Sequence, residues 1–165
     1  MPPDHPSTPH AGGVPVFGWR EFVALPDWGV DRLRAKLDTG ARTSALHVED
    51  YEEVASAEDG HPTVRFHVLS GRRDAPERTE VVADVIGHAL VRDTRARPEQ
   101  RPLVRTRLRC GPLDTTIDVS LTDRSGMNFR LLLGRRALAG HAVVDPDGSF
   151  LRSDPPRRRA AGGAR

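Results

Sequence analysis

Lysine is almost missing from this chain. Of the 25 basic residues among 165, Lys36 is the one lysine and the other 24 are arginine. With abundant Ala, Gly and Pro alongside, this bias looks like coding preference rather than phosphate recognition. Cysteine is nearly absent too. Cys110 stands alone, which excludes an intrachain disulfide and a four-thiolate metal site. Aromatic residues make up 5% and apolar residues 37%, so the core is expected to be shorter than the full chain. No apolar run approaches the ~18 residues of a membrane span. No basic stretch followed by an apolar one opens the chain, so a secretory leader is not expected and the cytoplasm is the default compartment. The formal net charge is +2, and the last thirteen residues hold four Arg against one Asp. The body is therefore near neutral, without the basic face of a nucleic-acid binder.

Residues 1–13, MPPDHPSTPHAGG, and 153–165, SDPPRRRAAGGAR, lack periodicity and read as disordered tails around a domain spanning 14–152. Within that domain most segments read as short strands. Val14–Leu25 is strand-like, with Gly18 at a bulge, and PDWG at 26–29 is a turn. Arg32 to Asp38 alternates, with Leu33, Ala35 and Leu37 on one face and Arg32, Arg34 and Lys36 on the other. Further strands are expected over 43–48, 51–54, 63–69, 79–91 (bent at Gly87), 103–108, 115–121 and 129–133. Asp59-Gly60 marks a hairpin. Only GRRALAG, 134–140, looks helical. Val143 and Val144 are expected to precede a turn at DPDG. Many short strands with one short helix predict an all-β barrel or sandwich.

The alternating strand runs straight into Asp38-Thr39-Gly40. A carboxylate at a strand end can face a cleft. The Thr hydroxyl can lock the loop, and Gly lets backbone approach the acid and donate N–H to it. One such acid is a poor catalyst. Two held a few ångström apart share a proton, so that one activates water while the other polarises a carbonyl. Turns use Asp, Thr and Gly everywhere, but a second motif follows downstream: LLLGRRAL, 131–138, an apolar run into Gly-Arg and a helix.

D-T-G-A after an alternating strand, then apolar-apolar-Gly-Arg-x-x-Leu, resembles the retroviral-type aspartic proteases. A wider resemblance covers GWREFVALPDWGV, KLDTGARTSALHV, LTDRSGMNFRLLLGRRALAG and VVDP. Over these segments the chain is similar to bacterial retropepsin-like proteins often labelled ATP-dependent zinc proteases and linked to RimK-type ATP-grasp peptide ligases. The resemblance implies an acid-protease-like β-barrel with one short helix, a cytoplasmic location, and Asp38, Thr39 and Gly40 as catalytic residues. It also implies the Leu131–Gly134 run packed behind the acid loop. The label itself finds no residues. H-E-x-x-H, C-x-x-C and the phosphate-binding G-x-x-x-x-G-K-[ST] are all missing, and His5, 10, 47, 61, 67, 88 and 141 show no ligand spacing. Neither zinc nor ATP nor any other cofactor is expected.

Retroviral enzymes carry an acid directly after D-T-G-A that pairs with the Arg of Gly-Arg. Arg42 stands there instead. Arg135 is then expected to find Glu49, Asp50 or Asp123 or to serve elsewhere; Arg42 and Arg135 are either structural or bind acidic substrate groups, as would suit a partner of glutamate-adding ligases. One D-T-G per chain means that a proton-sharing dyad requires a homodimer. The expected function is an aspartic peptidase acting on peptides, and the alternative a non-catalytic peptide-binding or ligase-regulating barrel. A flap is expected at the Asp59-Gly60 hairpin, or else from 70–78 or 94–100. Leu132→Asp is expected to bury an unpaired charge.

Overall fold

The computed structural model describes residues 13–56, 58–91, 98–123 and 128–154. The composition-based tails lie outside these residues, apart from Gly13, Ser153 and Asp154. The strands are β1 (Val16–Leu25), β2 (Val30–Asp38), β3 (Ser44–Ala55), β4 (Pro62–Arg72), β5 (Ala75–Asp84), β6 (Gly87–Val91), β7 (Glu99–Cys110), β8 (Leu113–Thr122), β9 (Leu131–Gly134) and β10 (Val143–Ser149). One helical turn, α1 (Arg135–Leu138), follows β9. Six strands close into a barrel in the order β1-β2-β9-β3-β8-β7, with β7 returning to β1 through Ala24 and Arg109. Leu33, Ala35, Leu37, Leu46, Val104, Leu121, Leu131 and Leu133 fill the interior, and the period-2 pattern of β2 is what turns its leucines inward.

β4 and β5 extend β3 as a separate antiparallel layer. Phe66 of β4 packs edge-on against Trp28, 5.3 Å between ring centroids, and so ties this layer to the turn between β1 and β2. No helix among the described residues is long and apolar enough to cross a membrane.

Three local readings differ from the sequence expectation. The segments 43–48 and 51–54 form one strand, β3, because a bulge between Glu49 and Glu52 absorbs the break in alternation, with Asp50 at φ 53°. The DPDG segment falls within β10, which pairs in parallel with β1, but the register steps from Gly18–Asp145 to Arg20–Ser149, and within that irregularity Asp147 N–H donates to Asp145 Oδ1 (2.9 Å). β10 lies at the edge of the sheet, where Pro146 forfeits no obligatory ladder bond. A Cβ at Gly18 would lie 2.7 Å from the Gly148 carbonyl oxygen, so this pairing accounts for that glycine. Ser153, grouped by composition with the tail, is anchored. Its hydroxyl accepts the Phe22 N–H (2.8 Å) and donates to Glu21 (2.5 Å).

Glu21 is fully buried, and among the described residues no cationic side chain pairs with it. Its carboxylate instead accepts N–H groups from Gly18, Leu151 and Arg152 together with the Ser153 hydroxyl. These charge-assisted bonds satisfy the buried carboxylate and strap residues 151–153 to β1.

Burial pushes the nearby Cys110 thiol up to about 12, and the Glu21 carboxylate adds to the rise. An unfolded thiol ionises near its ordinary value of ~8.5. Its stabilising share is thus complete below that pH and is lost as pH climbs towards the folded value. Stability should fall by about 1.4 kcal/mol per pH unit over that window. Urea midpoints at pH 8, 9.5 and 10.5 should show the fall in the wild type and a shallower one in Cys110→Ala. Parallel curves would contradict the assignment.

Candidate active site

β2 delivers the acid. Its inward residues are sealed in the core, and Asp38, in phase with Arg32, Arg34 and Lys36, comes out on the opposite face. The Asp38 side chain is 33% exposed, so solvent and a ligand can both reach it. The loop then turns back on itself. Gly40 N–H donates to Asp38 Oδ1 (3.1 Å) and Ala41 N–H to the Asp38 carbonyl (3.2 Å). A Cβ at Gly40 would sit 3.2 Å from Oδ1, closer than ordinary packing, which is why glycine suits this close approach. Lys36 Nζ lies 3.9 Å from Asp38 Oδ2, a loose and partly exposed pair.

β9 backs the loop, as the resemblance implies. It runs parallel to β2, with Asp38 opposite Gly134 and Lys36 opposite Leu132, and antiparallel to β3. Gly134 passes so close to Thr43 that a Cβ there would meet its backbone N, C and O at 2.6 to 2.8 Å. Gly134 N–H donates to Ser44 Oγ (3.1 Å), and the Ser44 side chain is buried. The first N–H groups of α1, which have no intrahelical partner, go to the loop. Arg135 N–H donates to the Ala41 carbonyl (2.8 Å) and Arg136 N–H to that of Arg42 (3.2 Å). The Arg135 guanidinium donates to the Gly40 carbonyl (3.3 Å). The acid loop is thus held by β9, Ser44 and α1 together.

Several expectations are refined here. Arg135 meets none of its three candidate carboxylates. Glu49 and Asp50, carried by the β3 bulge, both pair with Arg78 of β5. Arg42 is exposed, and its side chain makes no hydrogen bond or ion pair among the described residues. Thr39 is exposed as well, and its hydroxyl bonds to no described residue, so the loop is locked by Gly40 and Arg135 and not by Thr39 within one chain. Leu132 is half-buried while Leu131 and Leu133 are 0% and 1% exposed, so a charge would be buried at those two positions and not at Leu132. Ser44 escaped the sequence reading. Its signal was faint: a small hydroxyl opening an apolar strand. Among the described residues no three His, Cys, Asp or Glu side chains gather as a metal-binding cluster.

A closed six-stranded barrel presenting Asp-Thr-Gly beside a Gly-Arg strand and helix defines an acid-protease-like protein of the retropepsin type. The chain belongs to the RimB-like family, described as the retropepsin-like aspartic endopeptidase RimB, whose family model matches residues 16–155. It is 33% identical over 139 residues to a protein of Parasynechococcus marenigrum named "Probable alpha-L-glutamate ligase", covering 84% of this chain and 29% of that protein. A protein of the same name from Shewanella pealeana is 30% identical over 137 residues, covering 82% of this chain and 29% of its own length. The chain therefore spans less than a third of these curated relatives. Among solved structures, a Legionella pneumophila protein of unknown function matches with a TM-score of 0.69 at 30% identity, covering 84% of this chain and 98% of that one.

Proposed function

We propose that this protein is an aspartic peptidase that works as a homodimer and cleaves acidic peptide chains of the kind glutamate ligases make. The observation that carries the reading is Asp38. It is a partly exposed carboxylate at a strand end, fixed by the Gly40 N–H in a loop that Arg135 and Ser44 hold in place. In the dimer, Asp38 and the partner subunit's Asp38 share one proton. The ionised carboxylate takes a proton from water, whose oxygen attacks the peptide carbonyl. The protonated one donates a hydrogen bond to the carbonyl oxygen and then supplies the proton that the leaving amine needs. Arg42, exposed at the end of the loop, meets a carboxylate of the substrate. Arg135 holds the loop and offers its remaining N–H groups to the same chain.

The acidic substrate is supported by the names of the relatives, each "Probable alpha-L-glutamate ligase". That support also favours a second reading, in which the barrel is a non-catalytic module that docks on a RimK-type ligase or regulates it. Hydrolysis of an oligoglutamate, followed by mass spectrometry across a dilution series, separates the two. Activity per chain should fall on dilution through the range where sedimentation shows the dimer dissociating, and a chelator should leave it unchanged. Activity independent of concentration, or lost on chelation, would sink the dyad. No cleavage at any concentration would leave the docking module.

A further inference from the structure

Arg32, Arg34, Lys36 and Asp38 follow one another on the outward face of β2. At strand geometry they are spaced about 7 Å apart, which puts Arg34 about 13 Å from the acid. Beside the first two opens a cleft of about 480 Å³, lined by Phe22, Arg32, Arg34, Arg72, Arg73 and Arg130. It lies between the barrel wall and the β4–β5 turn, whose residues Gly71 to Asp74 also face it, whereas the Asp59-Gly60 hairpin does not. Among the described residues Gly71 to Asp74 of the 70–78 segment cover this cleft, while residues 94–97 of the other expected cover lie outside the described residues.

The lining is unbalanced in charge. Asp74 is its carboxylate, and Arg72 already holds it at 3.2 Å. Among the described residues, the Arg73 and Arg130 side chains make no ion pair or hydrogen bond. Arg130 is held below the usual guanidinium range by burial and then by the charges of Arg73 and Arg34. Glu49 opposes this, but it is paired with Arg78. Arg32 and Arg34 are also pre-placed. Their guanidinium carbons lie 3.8 Å above the Phe22 ring and 4.8 Å from the Phe129 ring. Their Nη2 groups donate to the Asp154 and Asn128 carbonyls, which leaves other donors of each fork open. Like charges gathered over an apolar floor are costly until an anion completes them.

We propose that this cleft is an acidic-chain subsite. It holds the side-chain carboxylates of a polyanionic peptide whose extended backbone runs along β2 towards Asp38. Alternate side chains of an extended peptide recur about every 7 Å, the same interval as the cations on β2. Bidentate guanidinium contacts suit carboxylates at that spacing. The part of this proposal that concerns cleavage rests on the peptidase reading above, and the part that concerns binding does not.

The test uses the full chain carrying Asp38→Asn, so that nothing is cleaved, and a fluorescent oligoglutamate read by anisotropy. Adding Arg73→Gln and Arg130→Gln should weaken binding roughly tenfold to a hundredfold. Arg105→Gln with Arg107→Gln, both on β7 and paired with Asp118 and Asp114, removes an equal charge away from the cleft and should leave binding unchanged. Equal losses from both changes, or no loss from the cleft pair, would overturn the subsite. In the wild-type background the cleft pair should raise KM and spare kcat. Oligoglutamate that binds through Arg73 and Arg130 but is never hydrolysed would keep the subsite and remove the peptidase. Hydrolysis with an unchanged KM in the cleft variants would do the reverse.

Discussion

Asp38→Asn should abolish peptide hydrolysis and leave the urea midpoint of the barrel where it was. The amide is nearly the size of the carboxylate, and its Oδ1 still accepts the Gly40 N–H. The contact given up with Lys36 is loose and partly exposed, so it contributes little to stability. What disappears is the capacity to take up and return a proton. Loss of one positioned acid or base costs roughly 10²–10⁴-fold in rate. In the proposed dimer the substitution removes both roles, because each half of the dyad would come from the same residue in two chains. The wild type should show a bell-shaped pH profile that reports the pair and not a single residue. Cleavage that survives in Asp38→Asn at the wild-type rate would remove Asp38 from the chemistry, and a lowered midpoint would mark it as structural.

Gly134→Ala should damage both the fold and the site. Gly134 has φ −79°, which any residue adopts, so backbone strain is not the reason. The reason is space: an added Cβ meets the Thr43 backbone at 2.6 to 2.8 Å, and backbone cannot rotate away as a flexible side chain can. Overpacking of this kind costs about 1–3 kcal/mol and sometimes more. Relief requires β9 to part from β3, which also pulls on the Ser44 hydrogen bond and on the α1 contacts that hold the acid loop. The urea midpoint should drop and turnover should fall with it. Gly87→Ala makes a fitting control, since nothing lies within 4 Å of a Cβ there. Its midpoint should stay within about 0.5 kcal/mol of the wild type. Equal stability for Gly134→Ala and the wild type would mean that the crossing of β9 beneath Thr43 is not tight.

Much of the barrel could be read from local pattern. β2 is legible because a strand with one face in a core must alternate, and Leu33, Ala35 and Leu37 do. The turn at 26–29 and the short α1 are legible for equally local reasons, a Pro-Gly boundary and a helix-forming run. β10 was not, because Asp-Pro-Asp-Gly has turn composition and becomes a strand only by lying along β1 at a free edge. The unity of β3 was hidden in the same way, since a bulge disrupts the very alternation by which strands are recognised.

For the candidate site, the sequence by itself located the Asp-Thr-Gly loop and the Gly-Arg strand that lies behind it, because these are short motifs of adjacent residues. Only the tertiary structure decided which groups hold the loop. Arg135 bonds to the Gly40 carbonyl and not to a carboxylate, and Ser44 supports Gly134 from 90 residues away. The arginine cleft likewise joins β1, β2, the β4–β5 turn and the approach to β9. A charge's partners are set by distance in space, and segments far apart in the chain acquire that distance only when the barrel closes.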